Sequence, residues 1–193
     1  MTIPLSVVMP VYNEEDAIAA AVDDVRQHVL AAIPDGELVV VNDGSRDRTG
    51  AMLDVIAAQD PRIRVIHQSN TGHGGAVIAG IEAARGDCIF LIDSDRQIPL
   101  DAFSSAWAAL QAGPDAVFGV RRRRHDPALR LYLSRFIQRA VQALFGVKLQ
   151  DANAPYKLLR RVIWQQARPL IPDDTLAPSL FLAIVAAAPA PFL

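Results

Sequence analysis

The 193-residue chain is 51% hydrophobic and 21% charged, a composition that supplies one substantial core and excludes disorder, collagen-like repeats and a coiled coil. With 19 Lys+Arg against 21 Asp+Glu the net charge is −2, so nothing draws the whole molecule to nucleic acid or an anionic membrane and any basic site is local. The single cysteine, Cys88, rules out an intramolecular disulfide and a four-thiolate zinc site and suits a reducing compartment.

Met1 to Pro4 lack the basic and apolar regions of a signal peptide, which predicts that the start of the chain stays in the cytoplasm. Short runs rich in Val and Ile then alternate with helical patterns, the signature of βα units wound into a mainly parallel sheet. The predicted strands are Leu5–Met9, Leu38–Val41, Arg64–His67, Cys88–Ile92 and Ala116–Val120. Helices are predicted at about Glu14–Leu30, Thr49–Ala58, Gly74–Ala84 and Asp101–Gln111, long enough for the crossovers that parallel strands require. A basic run, Arg121–Arg124, follows, then an amphipathic helix from about Pro127 to Phe145 and a loop ending at Tyr156-Lys157. Leu176 to Leu193 carries no charge, but Pro178, Pro189 and Pro191 favour a buried helix, Ser179–Ala188, over a membrane span.

Open α/β sheets bind ligands beyond the carboxyl ends of their strands, and the polar clusters follow the strands in that order. They are Tyr12-Asn13-Glu14, Asn42-Asp43-Gly44-Ser45, Asn70-Thr71-Gly72-His73-Gly74 and Asp93-Ser94-Asp95. Asp93, Asp95 and Gln97 can present oxygens to one hard cation such as Mg²⁺ or Mn²⁺; the plain alternative is an Asx turn or helix cap. Ser45 or Asp47 can cap the helix that follows. Asp43, at the strand tip, can accept a hydrogen bond from a nucleobase. The loop at Gly72 fails the dinucleotide-binding pattern, since Val77 stands where its last glycine belongs and the loop follows the third strand, which argues against a nicotinamide-dependent oxidoreductase. Its glycines still let backbone amides approach a ligand, and His73 is either a contact or an ordinary loop residue. Arg121 emerges at the fifth strand's end, and Arg130 and Ser134 share a helix face at i, i+4; they hold one anion together or form a solvated surface. Asp151 faces the site or builds a turn.

The segments VVMPVYNEE, VVVNDGSRDRT, NTGHGGAVIAG, LIDSDRQIP and DANAPYKLLRR together resemble family 2 glycosyltransferases of the GT-A fold, and within them the dolichol- and polyprenyl-phosphate sugar transferases. The resemblance runs from about Leu5 to Arg161. It implies a single α/β GT-A domain over residues 1–193, with a mainly parallel Rossmann-like sheet flanked by helices, a nucleotide-sugar-binding half over 1–120 and an acceptor-side half over 121–193. It further implies that Pro10, Tyr12 and Glu14 line the nucleoside pocket, that Asp43 reads the base and that the Gly72 loop helps enclose the nucleotide. Asp93, Asp95 and Gln97 would hold Mg²⁺ or Mn²⁺ on the donor diphosphate, while Arg121, Arg130 and Ser134 would grip an acceptor phosphate; Asp95, Arg121 and Arg130 carry the catalytic expectation.

The implied activity is inverting, metal-dependent transfer of a hexose, of the mannosyl or glucosyl kind, from a GDP- or UDP-sugar to a polyprenyl or dolichyl phosphate. The implied place is peripheral, on the inner face of the cell membrane. A phosphate acceptor is already an anion and needs no strong general base; for a hydroxyl acceptor, Asp151, Asp173 or Asp174 would be the candidates. Two departures from the family pattern stand out. Asn42-Asp43 replaces an acidic pair, and the later arginine–glycine–serine segment is absent, so the chain is expected to be C-terminally truncated. A non-catalytic nucleotide-sugar-binding protein is the alternative.

Overall fold

The computed structural model describes residues 4–97, 99–119, 156–175 and 177–188. Six strands, β1 (Leu5–Val11), β2 (Glu37–Asp43), β3 (Ile63–Gln68), β4 (Cys88–Leu91), β5 (Ala116–Phe118) and β6 (Lys157–Arg160), form one sheet in the order β3-β2-β1-β4-β6-β5. The β3-β2-β1-β4 block is parallel, while β6 runs antiparallel to both β4 and β5. The helices are α1 (Ile18–Val25), α2 (Thr49–Gln59), α3 (Gly72–Ala83), α4 (Phe103–Gln111), α5 (Arg161–Ala167) and α6 (Pro178–Ala187).

Alternation along the strands divides the core between the two faces of the sheet. Leu5, Val7, Met9, Cys88 and Phe90 pack with Ile18, Val22, Leu53, Phe103 and Leu110 of α1, α2 and α4. On the other face Val8, Ile89, Leu91 and Leu159 meet Val77, Ile81, Ile163, Trp164 and Leu182 of α3, α5 and α6. Full burial of a side chain such as Phe90 contributes roughly 1.5–3 kcal/mol, so the inner strands read as unbroken apolar runs because both faces are covered. The approach of α3 to the sheet depends on Gly80, where an added Cβ would lie 2.4 Å from Val8 Cγ1.

The strand between β4 and β5 departs from expectation. Lys157–Arg160, placed within and beyond a loop by the sequence pattern, forms β6, with Leu158 opposite Phe90 and Val117. Four residues leave too short a pattern for periodicity to resolve, and their pairing partners lie far away in the chain. Residues from beyond position 121 thus belong to the same sheet as the first 120. The first helix starts at Ile18 instead of Glu14 and closes in a π-helical turn, Arg26–Leu30. Ahead of it the amides of Glu14 and Glu15 are bound by the side chains of Thr49, the first residue of α2, and Asp47. The third helix starts two residues early, at Gly72, whose φ of +81° a glycine adopts without strain.

Helix α6 matches the expected buried helix within one residue and covers the second core cluster. Among the described residues no helix is long and apolar enough to cross a membrane. The predicted helix over 127–145 and the residues Arg121, Arg130, Ser134 and Asp151 lie outside the described residues.

Candidate active site

In chain order the strands fill the sheet outward from β1 to β3, and the next strand, β4, pairs with the other side of β1. The carboxyl ends of β1 and β4 are therefore a topological switch point, where crossover loops part and leave a crevice. An open cleft of about 340 Å³ lies there. Pro10, Tyr12, Glu14, Asp43, Gly72, Asp93 and Asp95 all line it. Asn70, His73 and Ser94, on the same loops, line it too. Seven of the residues singled out from sequence thus converge on one cavity. Gln97 is exposed on the same turn as Asp95, whose Oδ1 accepts its backbone amide at 3.0 Å.

One wall is prebuilt by hydrogen bonds between the β1–α1 and β2–α2 loops. Ser45 Oγ accepts the Asn13 amide at 2.9 Å, and Asn13 Oδ1 accepts the Arg46 amide at 2.8 Å. Thr49 Oγ1 takes the Glu14 amide, Asp47 Oδ2 the Glu15 amide, and Glu15 Oε2 in return the amide and Nε of Arg48. This interlock holds Asn13 at φ +54°, a left-handed conformation that asparagine tolerates better than most residues. Capping accounts for only part of the Ser45-to-Thr49 stretch: Asp47 Oδ1 does accept the Thr49 amide, whereas Ser45 serves the neighbouring loop. Gly44, at φ +72°, is required as glycine, because a Cβ there would lie 2.7 Å from the Asn70 amide nitrogen.

Asp43 ends β2 with only 3% of its surface exposed. Its Oδ1 accepts from Gln68 Nε2 at 2.8 Å, the Thr71 amide at 2.8 Å and Thr71 Oγ1 at 3.1 Å. Among the described residues its side-chain bonds all fall on Oδ1 and none reaches Oδ2, so this cleft-lining carboxylate keeps acceptor capacity for a ligand N–H. Asn42 faces elsewhere: its amide pairs with His67 Nδ1 at 2.9 Å while its Oδ1 accepts the Ser45 amide. It shapes the turn that carries Asp43.

Across the cleft, Asp93 follows β4 and Asp95 is exposed on the next turn, whose Arg96 has φ +55°. Arg96 Nε anchors that turn to α1 through Asp24 Oδ2 at 2.6 Å. His73 Nε2 stands 4.0 Å from Asp93 Oδ1, close enough for attraction when protonated but beyond hydrogen-bond length. No cluster of three His, Cys, Asp or Glu side chains able to hold a metal occurs among the described residues. Asp93 and Asp95 on the cleft wall and Gln97 on the same turn carry oxygen donors, the ligand type that suits Mg²⁺ or Mn²⁺. Sequence reasoning did not single out Arg96 and Asp24 as the tether of this turn, because their ion pair joins positions 72 residues apart.

Comparison with known proteins gives the chain a family and a fold. A family model described as Glycosyl transferase family 2 matches residues 6–168. The chain is 36% identical over 161 residues to the undecaprenyl-phosphate 4-deoxy-4-formamido-L-arabinose transferase of Pseudomonas fluorescens (strain Pf0-1), covering 82% of this chain and 47% of the relative. It is 35% identical to the protein of the same name from Shewanella sediminis, covering 81% and 48%. The chain spans about half the length of these curated relatives. Among solved structures, S. aureus TarS 1–349 in complex with UDP aligns with a TM-score of 0.67 at 19% identity over 95% of this chain and 55% of that one. Mannosyltransferase PcManGT from Pyrobaculum calidifontis, in complex with GDP-Man and Mn²⁺, aligns at 0.63 and 20% over 93% and 50%. These likenesses establish the fold.

Proposed function

The chain belongs to glycosyl transferase family 2, and on that premise we propose that it transfers a sugar from a nucleoside-diphosphate donor to a polyprenyl phosphate, with inversion and with Mg²⁺ or Mn²⁺. The observation that carries this reading is the single cleft in which Asp43 on one wall faces Asp93 and Asp95 on the other. The names of its relatives, undecaprenyl-phosphate transferases, support the acceptor class.

In this reading Pro10, Tyr12 and Glu14 line the nucleoside's berth, and Asp43 accepts a base N–H through Oδ2. Asp93, Asp95 and Gln97 would hold the cation, which when bound would supply stabilisation of the leaving diphosphate's charge. Amides at the glycine-rich start of α3 face the same cleft and favour an anion there. Transfer forms a bond between an acceptor phosphate oxygen and the anomeric carbon. The bond from that carbon to the β-phosphate oxygen breaks, and the nucleoside diphosphate leaves with the electron pair. The phosphate acceptor arrives ionised, so the chain needs no strong general base. Arg121, Arg130 and Ser134 are proposed to hold it, with residues 121–193 forming the acceptor side of the domain and the reaction taking place at a membrane surface.

Calorimetric titration with UDP and with GDP, each with and without Mn²⁺, tests donor binding. Mn²⁺-dependent binding of at least one is expected, and binding of neither overturns the proposal. Transfer to a short-chain polyprenyl phosphate tests the acceptor: Arg130→Lys is expected to weaken acceptor use more than donor binding, because lysine cannot reproduce a bidentate guanidinium contact. Unchanged acceptor kinetics in both Arg121→Ala and Arg130→Lys would remove these arginines from the site. Donor binding without transfer would favour the non-catalytic binding protein.

A further inference from the structure

Between α1 and the Asp93–Gln97 turn lies a second, much smaller cavity of about 20 Å³, walled by Met9, Ala21, Asp24, Asp95, Arg96 and Tyr156, among others. Tyr156, at the entry to β6, is 5% exposed and sets its ring edge-on to Phe90 with centroids 4.6 Å apart. Its hydroxyl is the one buried side-chain N or O atom with no hydrogen-bond partner among the described residues. Burial, reinforced by the charge of Asp101, pushes its pKa up to about 12, so it remains a neutral donor. A buried hydroxyl left without a partner is costly, and such groups are generally satisfied by protein or ordered water.

The cavity has the size and lining for that water. A space of about 10–15 Å³ suffices for one molecule, which then needs two to four polar partners; Tyr156, Asp24, Asp95 and Arg96, which line the cavity, supply candidates. The turn above needs such support. Arg96 is held at φ +55°, and a left-handed non-glycine residue persists only where its surroundings over-determine it. The Arg96–Asp24 ion pair fixes that turn from the α1 side.

We propose that this cavity is a single-water site and that Tyr156, through its hydroxyl and that water, is a positioning residue for the carboxylates of the Asp93–Gln97 turn. The inference rests on the metal-dependent donor binding proposed above. Removing the hydroxyl loosens the metal-binding carboxylates and leaves the nucleoside wall, built from other loops, untouched.

The test is Tyr156→Phe, which keeps the ring against Phe90, titrated with UDP and GDP in the presence and absence of Mn²⁺ alongside the unaltered protein. The Mn²⁺-dependent affinity is expected to fall five- to tenfold, with affinity in chelator within twofold of wild type. Ala21→Val, which fills the cavity from α1 with Tyr156 in place, is expected to give the same selective loss. Mn²⁺-dependent affinity within twofold of wild type in either variant overturns the proposal, as does an equal loss with and without metal, which would make the hydroxyl merely structural. Wild-type protein that binds neither nucleotide overturns the proposed function together with this inference, whereas metal-dependent wild-type binding with an indifferent Tyr156→Phe overturns this inference alone.

Discussion

Strand β2 begins and ends on a buried carboxylate, Glu37 at 4% exposure and Asp43 at 3%, and the two ends of the sheet treat them differently. Glu37 is enclosed by protein donors: Ser6 Oγ and the Arg85 amide, each 2.7 Å from Oε1, and Arg64 Nη1, 3.0 Å from Oε2. Burial opposes its charge, but these bonds outweigh burial and hold its carboxyl below the usual range. At the other end, the bonds made by Asp43 gather on Oδ1 and the residue borders an open cleft. Burial alone therefore does not separate a carboxylate enclosed by protein donors from one that borders a cleft. The distribution of donors over its two oxygens does.

Glu37→Ala gives the largest expected effect at the closed end. It leaves the Arg64 charge, the Ser6 hydroxyl and the Arg85 amide without their acceptor, and a broken buried pair costs about 3 kcal/mol. Urea unfolding reads the loss, while nucleotide affinity of the folded protein stays at the wild-type value; a cost below about 1 kcal/mol would break the contrast. Asp43→Asn is the counterpart at the open end. It retains an oxygen for Gln68 and Thr71 and replaces the free acceptor by a donor, so stability changes little and nucleotide affinity falls by about 2 kcal/mol, within the range for an unsatisfied buried partner. Undiminished calorimetric affinity would sink the role of Asp43 in reading the base.

Asp95→Ala sharpens the comparison along the cleft itself. Asp95 is exposed and accepts the local Gln97 amide, so the thermal midpoint should hold while the Mn²⁺-dependent part of nucleotide affinity disappears, a loss of about tenfold or 1.4 kcal/mol. Retained metal dependence would count against Asp95 as a ligand. The smallest effect is expected at Asp60, a structural carboxylate at the end of α2. The Arg62 guanidinium, bonded at 2.8 and 3.0 Å, lowers its pKa to about 2 against the opposing effect of burial. A carboxylate depressed on folding stabilises the protein above its unfolded pKa near 4 and loses that contribution as pH falls toward 2, here on the order of 1 kcal/mol. Urea midpoints from pH 5 to pH 2 should show this component in wild type and not in Asp60→Asn; identical profiles would remove it.

The order of the βα units was legible in the sequence because each unit's pattern is local. Val and Ile runs marked β1 to β4 to within two residues at each end, and Asp43, Gly72, Asp93 and Asp95 could be assigned to one edge because chain direction in a parallel sheet puts every strand's carboxyl end on the same side. The GT-A fold followed from ordered motifs on those tips. The rest was decided by tertiary structure, since it depends on partners distant in the chain. The insertion of β6 beside β4 joins residues about 70 positions apart. The Asn13–Ser45 interlock spans 32, the Arg96–Asp24 tether spans 72, and the division of donors between the two oxygens of Asp43 requires β3 and the start of α3 to arrive beside β2. Local pattern specifies which way a strand points and where it stops, but a side chain's hydrogen-bond partners are chosen only when packing brings the loops together.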